Sequence, residues 1–485
     1  MPRELADESP AAAVRRRYEA AKAKRAVWEA HWRDCYDHVL PHRMSAAAPG
    51  AKAADRLFDG TAADAVEQLA ASLLAELTPP WSRWFGLAPG PEATPEERAL
   101  AGEALDAASA VLQAHFDRSN FAMEVHQCYL DLATAGTACL LFEEAAPGAP
   151  SAFRFTAVPL ETALLEEGPD GALDVPFRRS ELTVAQLRAR FPDAKLPASA
   201  ADAPEERRYG VIESVTPEGG AYVWRAVLDD PETTDAALLA EGAFAQSPFI
   251  NFRWMKAPGE TYGRSPVMKA LPDIKTANKV VELVLKNASI AVSGIWQAED
   301  DGVLNPATVR LVPGAIIPKA MGSAGLTPLE APGRFDVSEL VLADLRARIR
   351  HALLADRLAQ VEAPRMTATE VLERAAAMAR LLGATYGRLQ SELLAPLVER
   401  GLAILRRRGE IPDIRIDGRL IALRYRSPLA QAAAQAEARA TLTWLGAVAG
   451  LGPEALAAVD LPEAARHLGR ALGVPAALIR EAGDG

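Results

Sequence analysis

Two stretches of the chain hold residue types that could do chemistry. His31, Cys35, His38 and His42 fall at i, i+4, i+7 and i+11. On a helix that spacing puts them on one face, and imidazole and thiolate are the ligands zinc prefers. Pro41 breaks the helix before His42, however, and one straight face does not wrap a tetrahedral ion, so ordinary helix packing is the expectation. The run Gly259-Glu260-Thr261-Tyr262-Gly263-Arg264-Ser265 faintly resembles a phosphate-cradling loop. Such a loop needs four residues between its glycines and then lysine, whereas this one has three followed by arginine. Neither His-Glu-x-x-His nor Gly-x-Ser-x-Gly occurs, and no paired-carboxylate motif stands out. Glu143-Glu144, Asp229-Asp230 and Asp300-Asp301 read as solvated loop charges. The expectation is no catalytic residue, no metal and no cofactor.

The elements around the glycine run are more informative. An extended segment from Phe249 to Trp254 meets the turn Ala257-Pro258-Gly259, and Tyr262 to Pro266 opens a long helix. Ser265 is its expected cap and Pro266 suits its first turn, where no amide donor is needed. Val267, Leu271, Ile274, Val281, Leu285 and Ala288 recur by threes and fours on one face, with a gap at Asn278. A second helix is expected over about 336–356, with Leu342, Leu345, Ile349 and Leu353 on one face and Arg346, Arg350 and Arg357 on another. Between the two lies an irregular Pro/Gly-rich insertion with short strands expected at 309–312 and 315–317. Residues 357–366 read as a loop. Thr367 and Glu370 form a capping box for a third long helix, about 368–408, which Pro396 should kink.

Toward the N-terminus, helices are expected over 13–40, 60–77 (with Thr61 as cap), 95–118 and 120–135, and residues 1–12 read as a disordered tail. Trp81, Trp84, Phe85 and Leu87 form an aromatic anchor. Strands are expected at 138–143, 153–158, 175–179, 211–215 and 221–228, with Glu218-Gly219-Gly220 as a hairpin turn and a short helix at 184–190. Ile414 to Arg426 reads as two short strands around Asp417-Gly418. Helices opened by Ser427-Pro428 and by Asp460 to Glu463 close the chain. No internal repeat is seen. The fold class expected is α+β, mainly helical.

The 485 residues are long enough for two to four domains, and their formal charge of −11 argues against a generally basic nucleic-acid binder. Three sparse cysteines (Cys35, Cys128 and Cys139) fit a reducing compartment rather than a disulfide framework. The N-terminus has no apolar core of a signal peptide, and no apolar run is long enough to span a membrane, so a protein made in a cytoplasm is expected. The basic face of the first helix (Arg15, Arg16, Arg17, Lys22, Lys24 and Arg25) reads as solvated, against the membrane-peripheral use it would otherwise suggest.

An ordered set of segments carries a family resemblance. It comprises Trp28 to Pro41, Leu73 to Trp81, Gly259 to Pro266 with its helix, Arg365-Met366-Thr367-Ala368-Thr369-Glu370-Val371, and Ser391 to Leu397. Together they resemble the portal proteins of tailed bacteriophages, the head-to-tail connectors of the podovirus T7-like type. The resemblance implies an α/β wing over 13–250, a first stem helix within 251–290, and a small α/β clip over 291–335. It further implies a second stem helix over 336–356, a channel loop over 357–366, a long wing helix with short strands over 367–426, and a helical crown over 427–485. It implies a ring, usually of about twelve copies, at one capsid vertex of the virion, assembled in the host cytoplasm. Double-stranded DNA would pass through the ring, with the terminase large subunit, major capsid, scaffolding and tail adaptor proteins as partners and no membrane. Arg346, Arg350, Arg357 and Arg365 would then lie along the lower channel and its loop, facing either phosphates or acidic residues of the next copy. The other reading is a non-viral helical α/β nucleotide-binding protein or enzyme that uses the Gly259–Ser265 loop.

Overall fold

The computed structural model describes residues 9–43, 57–80, 82–90, 92, 94–197, 200, 203–229, 237–293, 296–298, 320–322, 326–328, 335–358, 382–414, 421–425 and 428–471. The architecture is α+β and mainly helical. Helix α1 (Pro10–Val39) begins at Ser9, whose hydroxyl accepts the Ala12 amide, with Pro10 in the first turn. Helices α2 (Thr61–Leu77), α3 (Pro95–Arg118) and α4 (Phe121–Ala135) follow. Thr61 is not the cap of α2. Gly60 stands at the cap without a capping side chain, and the Asp59 carboxylate just before it accepts the Thr61 amide at 3.0 Å.

Among the described residues the strands form four antiparallel sheets. β1 (Phe85–Pro89) pairs with β12 (Ile421–Tyr425), so Phe85 lies opposite Tyr425. The second of the two short strands expected over 414–426 is thus present and joins a long-range ladder, a pairing that no local pattern encodes. Residues 415–420, with the Asp417-Gly418 turn, lie outside the described residues. β2 (Thr137–Glu144) is the centre of a three-stranded sheet between β3 (Phe153–Val158) and β9 (Phe249–Arg253). The largest sheet runs β4 (Ala163–Glu166), β5 (Val175–Thr183), β6 (Arg208–Glu218), β7 (Ala221–Asp229), β8 (Ala237–Phe244) in sequence order. Gly219 (φ 59°) and Gly220 (φ 83°) are both left-handed at the β6–β7 turn, the conformation that a two-residue hairpin requires. The short helix α5 (Val184–Arg190) has a full capping box between Thr183 and Gln186.

Periodicity decides what is buried where. Ala11, Val14, Tyr18 and Ala21 of α1 lie on one face of the five-stranded sheet, against Leu164, Phe177 and Ile212. The other half of α1, through Trp32, Cys35, Tyr36 and Val39, enters the main core with α2, α3 and α4. The expected aromatic anchor is the seed of that core. Trp84 and Phe85 pack with Phe116 and Phe121, and Phe116 in turn meets Phe153 at 5.2 Å between ring centres. Trp81 lies outside the described residues.

Out of this body runs a helical hairpin. Helix α6 (Pro266–Ser293) is 28 residues, about 42 Å at 1.5 Å per residue. Strands β10 (Trp296–Ala298) and β11 (Leu326–Pro328) pair at its far end, and α7 (Phe335–Ala352) returns along it. The strands expected at 309–312 and 315–317 lie outside the described residues. The second helix ends earlier than the sequence suggests. Leu354 takes a left-handed φ of 61°, which closes α7 and starts the one-turn helix α8 (Ala355–Leu358). The Thr367/Glu370 capping box and the start of the third long helix are outside the described residues.

From Ala384 that third helix is not one kinked rod. It comprises α9 (Ala384–Leu389), a widened π turn (Gln390–Leu394) and α10 (Ala395–Arg407). Pro396 explains the turn. Proline has no amide for the Glu392 carbonyl and its ring crowds that oxygen, so the backbone inserts an extra residue and the Ala395 amide bonds Gln390 instead. The chain closes with α11 (Pro428–Leu451), α12 (Pro453–Leu456) and α13 (Leu461–Ala471), the last capped by Asp460 through the Glu463 amide.

Candidate functional site

The hairpin and the turn that roots it are the region in which the sequence places its candidates. At the root, Gly263 and Gly136 bring two backbones into contact. A Cβ on Gly263 would stand 2.1 Å from the Gly136 carbonyl oxygen, and a Cβ on Gly136 would stand 2.4 Å from that of Gly263. Gly136 also ends α4 in the left-handed conformation at φ 77°. The Gly263 amide donates to Thr137 Oγ1 at 2.8 Å and the Arg264 amide to the Met255 carbonyl at 2.7 Å. Tyr262 is buried edge-on against Trp32, 4.9 Å between ring centres, and its hydroxyl accepts the Leu165 amide. Burial pushes that phenol up to about 12. Ser265 caps α6 as expected: its hydroxyl accepts the Met268 amide at 2.9 Å and donates to the Thr134 carbonyl at 2.8 Å. The Glu260, Gly263 and Arg264 amides are thus committed to protein partners, and the loop serves as a structural root.

Behind this turn lies a buried charge pair that the sequence reading missed. Arg253, at the end of β9, is fully buried, with its guanidinium on Glu392 of the π turn at 2.7 Å. Glu392 also accepts from the Arg253 amide and from Arg388. The available signal was an arginine ending the apolar strand Phe-Ile-Asn-Phe-Arg, since an ion in such a place requires a partner.

Along the hairpin, Val267, Leu271 and Ile274 of α6 are buried, as are Leu342, Leu345 and Ile349 of α7 and Leu353 in the turn after it. Leu285 departs from expectation. It continues the same stripe yet is 53% exposed. The gap at Asn278 has a purpose: its amide oxygen accepts the Phe58 and Asp59 amides at 2.6 and 3.1 Å, fixing the start of α2 to the hairpin. On the outward faces Leu283 is 48% and Leu340 75% exposed.

The four candidate arginines are not equivalent. Arg346 donates to the buried Asp59 carboxylate at 2.9 Å. Arg350 is exposed and makes no ion pair among the described residues. Arg357 lies in α8, and Arg365 lies outside the described residues. A different arginine, Arg348, bridges the two hairpin helices through Asp273 at 2.9 Å. Burial pushes the Asp59 carboxyl up, but its bonds from Thr61 and Arg346 outweigh this and leave it below the usual carboxylate range. Replacing Arg346 by alanine is therefore expected to cost about 2 kcal/mol of stability at neutral pH. A carboxyl lowered on folding stabilises above its unfolded value, about 3.9, and loses that stabilisation as pH falls through its folded value. The gap between wild type and R346A in denaturant titrations should thus be constant above about pH 5 and close as pH falls below about 4.

The remaining chemical candidates are structural. Cys35 is buried, and burial first, then the Asp34 charge, push its thiol up to about 12. His42, by contrast, is exposed, and no group of metal-ligating side chains forms among the described residues. Ser151, His115 and Glu410 are neighbours in the order of a hydrolytic triad. The Ser151 hydroxyl, however, donates to the His115 carbonyl at 2.7 Å, and His115 Nδ1 accepts the Ala152 amide at 3.0 Å. That leaves Nε2 to donate to Glu410 at 2.7 Å, so the imidazole has no free lone pair for a base. No helix among the described residues is long and apolar enough to cross a membrane.

Comparison with known proteins covers nearly the whole chain. A family model described as "Bacteriophage head to tail connecting protein" matches residues 11–479. The chain is 25% identical to a "Probable portal protein" of Bordetella phage BPP-1, over 98% of this chain and 90% of the relative. It is 24% identical to the "Portal protein" of Salmonella phage epsilon15, over 94% and 86% respectively. The "Portal protein" of Escherichia phage T7 is 27% identical over 34% of this chain and 31% of the relative.

Proposed function

The chain belongs to the bacteriophage head to tail connecting protein family, and on that premise we propose that it is the portal subunit at one vertex of a tailed-phage capsid. About twelve copies form a ring by repeating one heterologous contact, which closes without leaving an open edge. In this reading residues 13–250 are the wing, 251–290 its exit and the first stem helix, 291–335 the clip, 336–356 the second stem helix and 357–366 the channel loop. Residues 367–426 return to the wing and 427–485 form the crown. The ring is the conduit through which double-stranded DNA enters and leaves the head. It is also the platform on which the terminase large subunit and the tail adaptors dock, and it sits among major capsid and scaffolding proteins in the virion, assembled in the host cytoplasm. ATP hydrolysis belongs to the terminase, and the chain itself has no catalytic part.

One observation carries the ring. The hairpin buries an inner stripe on both helices and still exposes Leu283 on α6 and Leu340 on α7. Two leucines facing away from their own core on a projecting helix pair fit a surface that another copy covers. Native mass of the purified protein, by light scattering or mass spectrometry, tests this. A species near twelve chains is expected, and a monomer that persists in the presence of scaffolding protein would overturn it.

Arg350, Arg357 and Arg365 are the arginines proposed to meet DNA phosphates, while Arg346 is held by Asp59. A channel through which DNA must slide needs few fixed cations, because attraction beyond about 10 Å is largely screened at moderate salt. Removing Arg357 and Arg365 together is expected to leave rings intact and to lower packaged or retained DNA about tenfold. Normal DNA yield from that double variant would remove the loop from the mechanism.

A further inference from the structure

Arg253 touches two elements that lie far apart in the sequence. On one side its Nη2 donates to Glu392 Oε1 at 2.7 Å, and its backbone amide donates to Glu392 Oε2 at 2.9 Å. On the other its Nη1 donates to the Thr261 carbonyl at 3.1 Å. The Cβ of Arg253 also lies against Gly263, 3.0 Å from where a Cβ on that glycine would be. One side chain, at 1% exposure, thus touches both the π turn and the turn that starts α6. The Gly171 carbonyl, at 2.8 Å, and Glu167, at 3.4 Å, complete its surroundings.

Pro396 favours the widened turn locally, and the Glu392 carboxylate holds it from a distance. Relaxing the turn to regular α-helix removes the inserted residue and rotates α9 about its axis by about 100° relative to α10. That rotation carries Glu392 away from Arg253. Two arginines share Glu392 Oε1, Arg253 at 2.7 Å and Arg388 at 3.1 Å, and Arg388 lies on α9 itself. After such a rotation Arg388 travels with Glu392, whereas Arg253 stays behind without its carboxylate. We infer that the Arg253–Glu392 pair is a coupling device: it holds the 390–394 turn widened and, through Arg253, fixes the first turns of α6. Loosening the turn loosens the root of the hairpin. Arg253 and Glu392 are positioning residues here, and the device does not depend on what the hairpin surrounds.

Hydrogen exchange read by mass spectrometry on the purified full-length protein tests this. In E392Q, exchange is expected to rise at least tenfold over 384–394 and also over 266–274, a segment Glu392 does not touch. R406A, which breaks the exposed Arg406–Asp413 pair on α10, is the control and should leave 266–274 at the wild-type rate. The coupling is overturned by a rise confined to 384–394, or by R406A loosening 266–274 as much as E392Q does. Should E392Q not fold, E392D decides, since it keeps the charge and withdraws the oxygens by about 1.5 Å. The same two-segment rise is expected of it, and a local rise or none overturns the coupling.

Discussion

Gly263→Ala is expected to cost at least about 4 kcal/mol, enough that little soluble protein would be recovered. The added Cβ would meet the Gly136 carbonyl at 2.1 Å and the Arg253 Cβ at 3.0 Å. Neither neighbour is the end of a flexible side chain. Gly136 is held by the Leu132 carbonyl through its amide and by the Trp254 amide through its carbonyl, and Arg253 by Glu392. Relief would require opening β2 from the α6 root, which breaks the Gly263–Thr137 bond as well. Gly259→Ala is the matched comparison. Gly259 has a left-handed φ, 81°, which Gly263 does not, but nothing lies within 4 Å of a Cβ there, so the cost is the backbone term alone, about 1–2 kcal/mol. Denaturant midpoints of the two variants would measure the contrast. A phosphate-binding loop would make both glycines comparably intolerant in a nucleotide-binding assay while sparing stability. A G263A protein as stable as wild type would remove the close approach from its place at the root.

Leu283→Glu combined with Leu340→Glu is expected to abolish the ring while leaving the subunit folded. Both leucines are exposed in the single chain, so its stability should change by no more than about 0.5 kcal/mol. Covered by a neighbouring copy, each leucine contributes about 1.5–3 kcal/mol, and an unpaired carboxylate in its place adds a desolvation cost. The loss per interface is then at least about 4 kcal/mol, near a thousandfold in association constant. In a closed ring every subunit bears that loss on both sides. Native mass should fall to the single chain, with circular dichroism unchanged. Intact rings from this variant would move the subunit contact off the hairpin and take the carrying observation with it.

Much of this was legible in the chain. The helix Pro266–Ser293 could be read because Ser265, Pro266 and a three-four apolar stripe act over a few residues. The hairpin at Gly219-Gly220 could be read for the same reason: the glycines supply the turn and the flanking residues alternate. What could not be read depends on residues distant in sequence. Asn278 looks like a flaw in the stripe until the Phe58 and Asp59 amides are seen against it. Arg346 looks like a free cation on a helix face until Asp59 is placed beside it. Arg253 and Glu392 stand 139 positions apart, and neither carries a local sign of the other. Pro396 announced a break in its helix, but the form of the break, a widened turn that aims a carboxylate inward, is set by what the turn packs against.

The ladder between Phe85–Pro89 and Ile421–Tyr425 also has a consequence in time. During synthesis the first strand leaves the ribosome long before the second exists. At about 5–20 residues per second the wait is tens of seconds, during which β1 has an unpaired edge. The partner strand arrives just ahead of α11. Completion of the body thereby waits for synthesis to pass Tyr425, and a chain cut short before it would display an open strand edge that quality control can recognise. For a subunit of the proposed ring, this gives each copy a built-in check of its own integrity before it is incorporated.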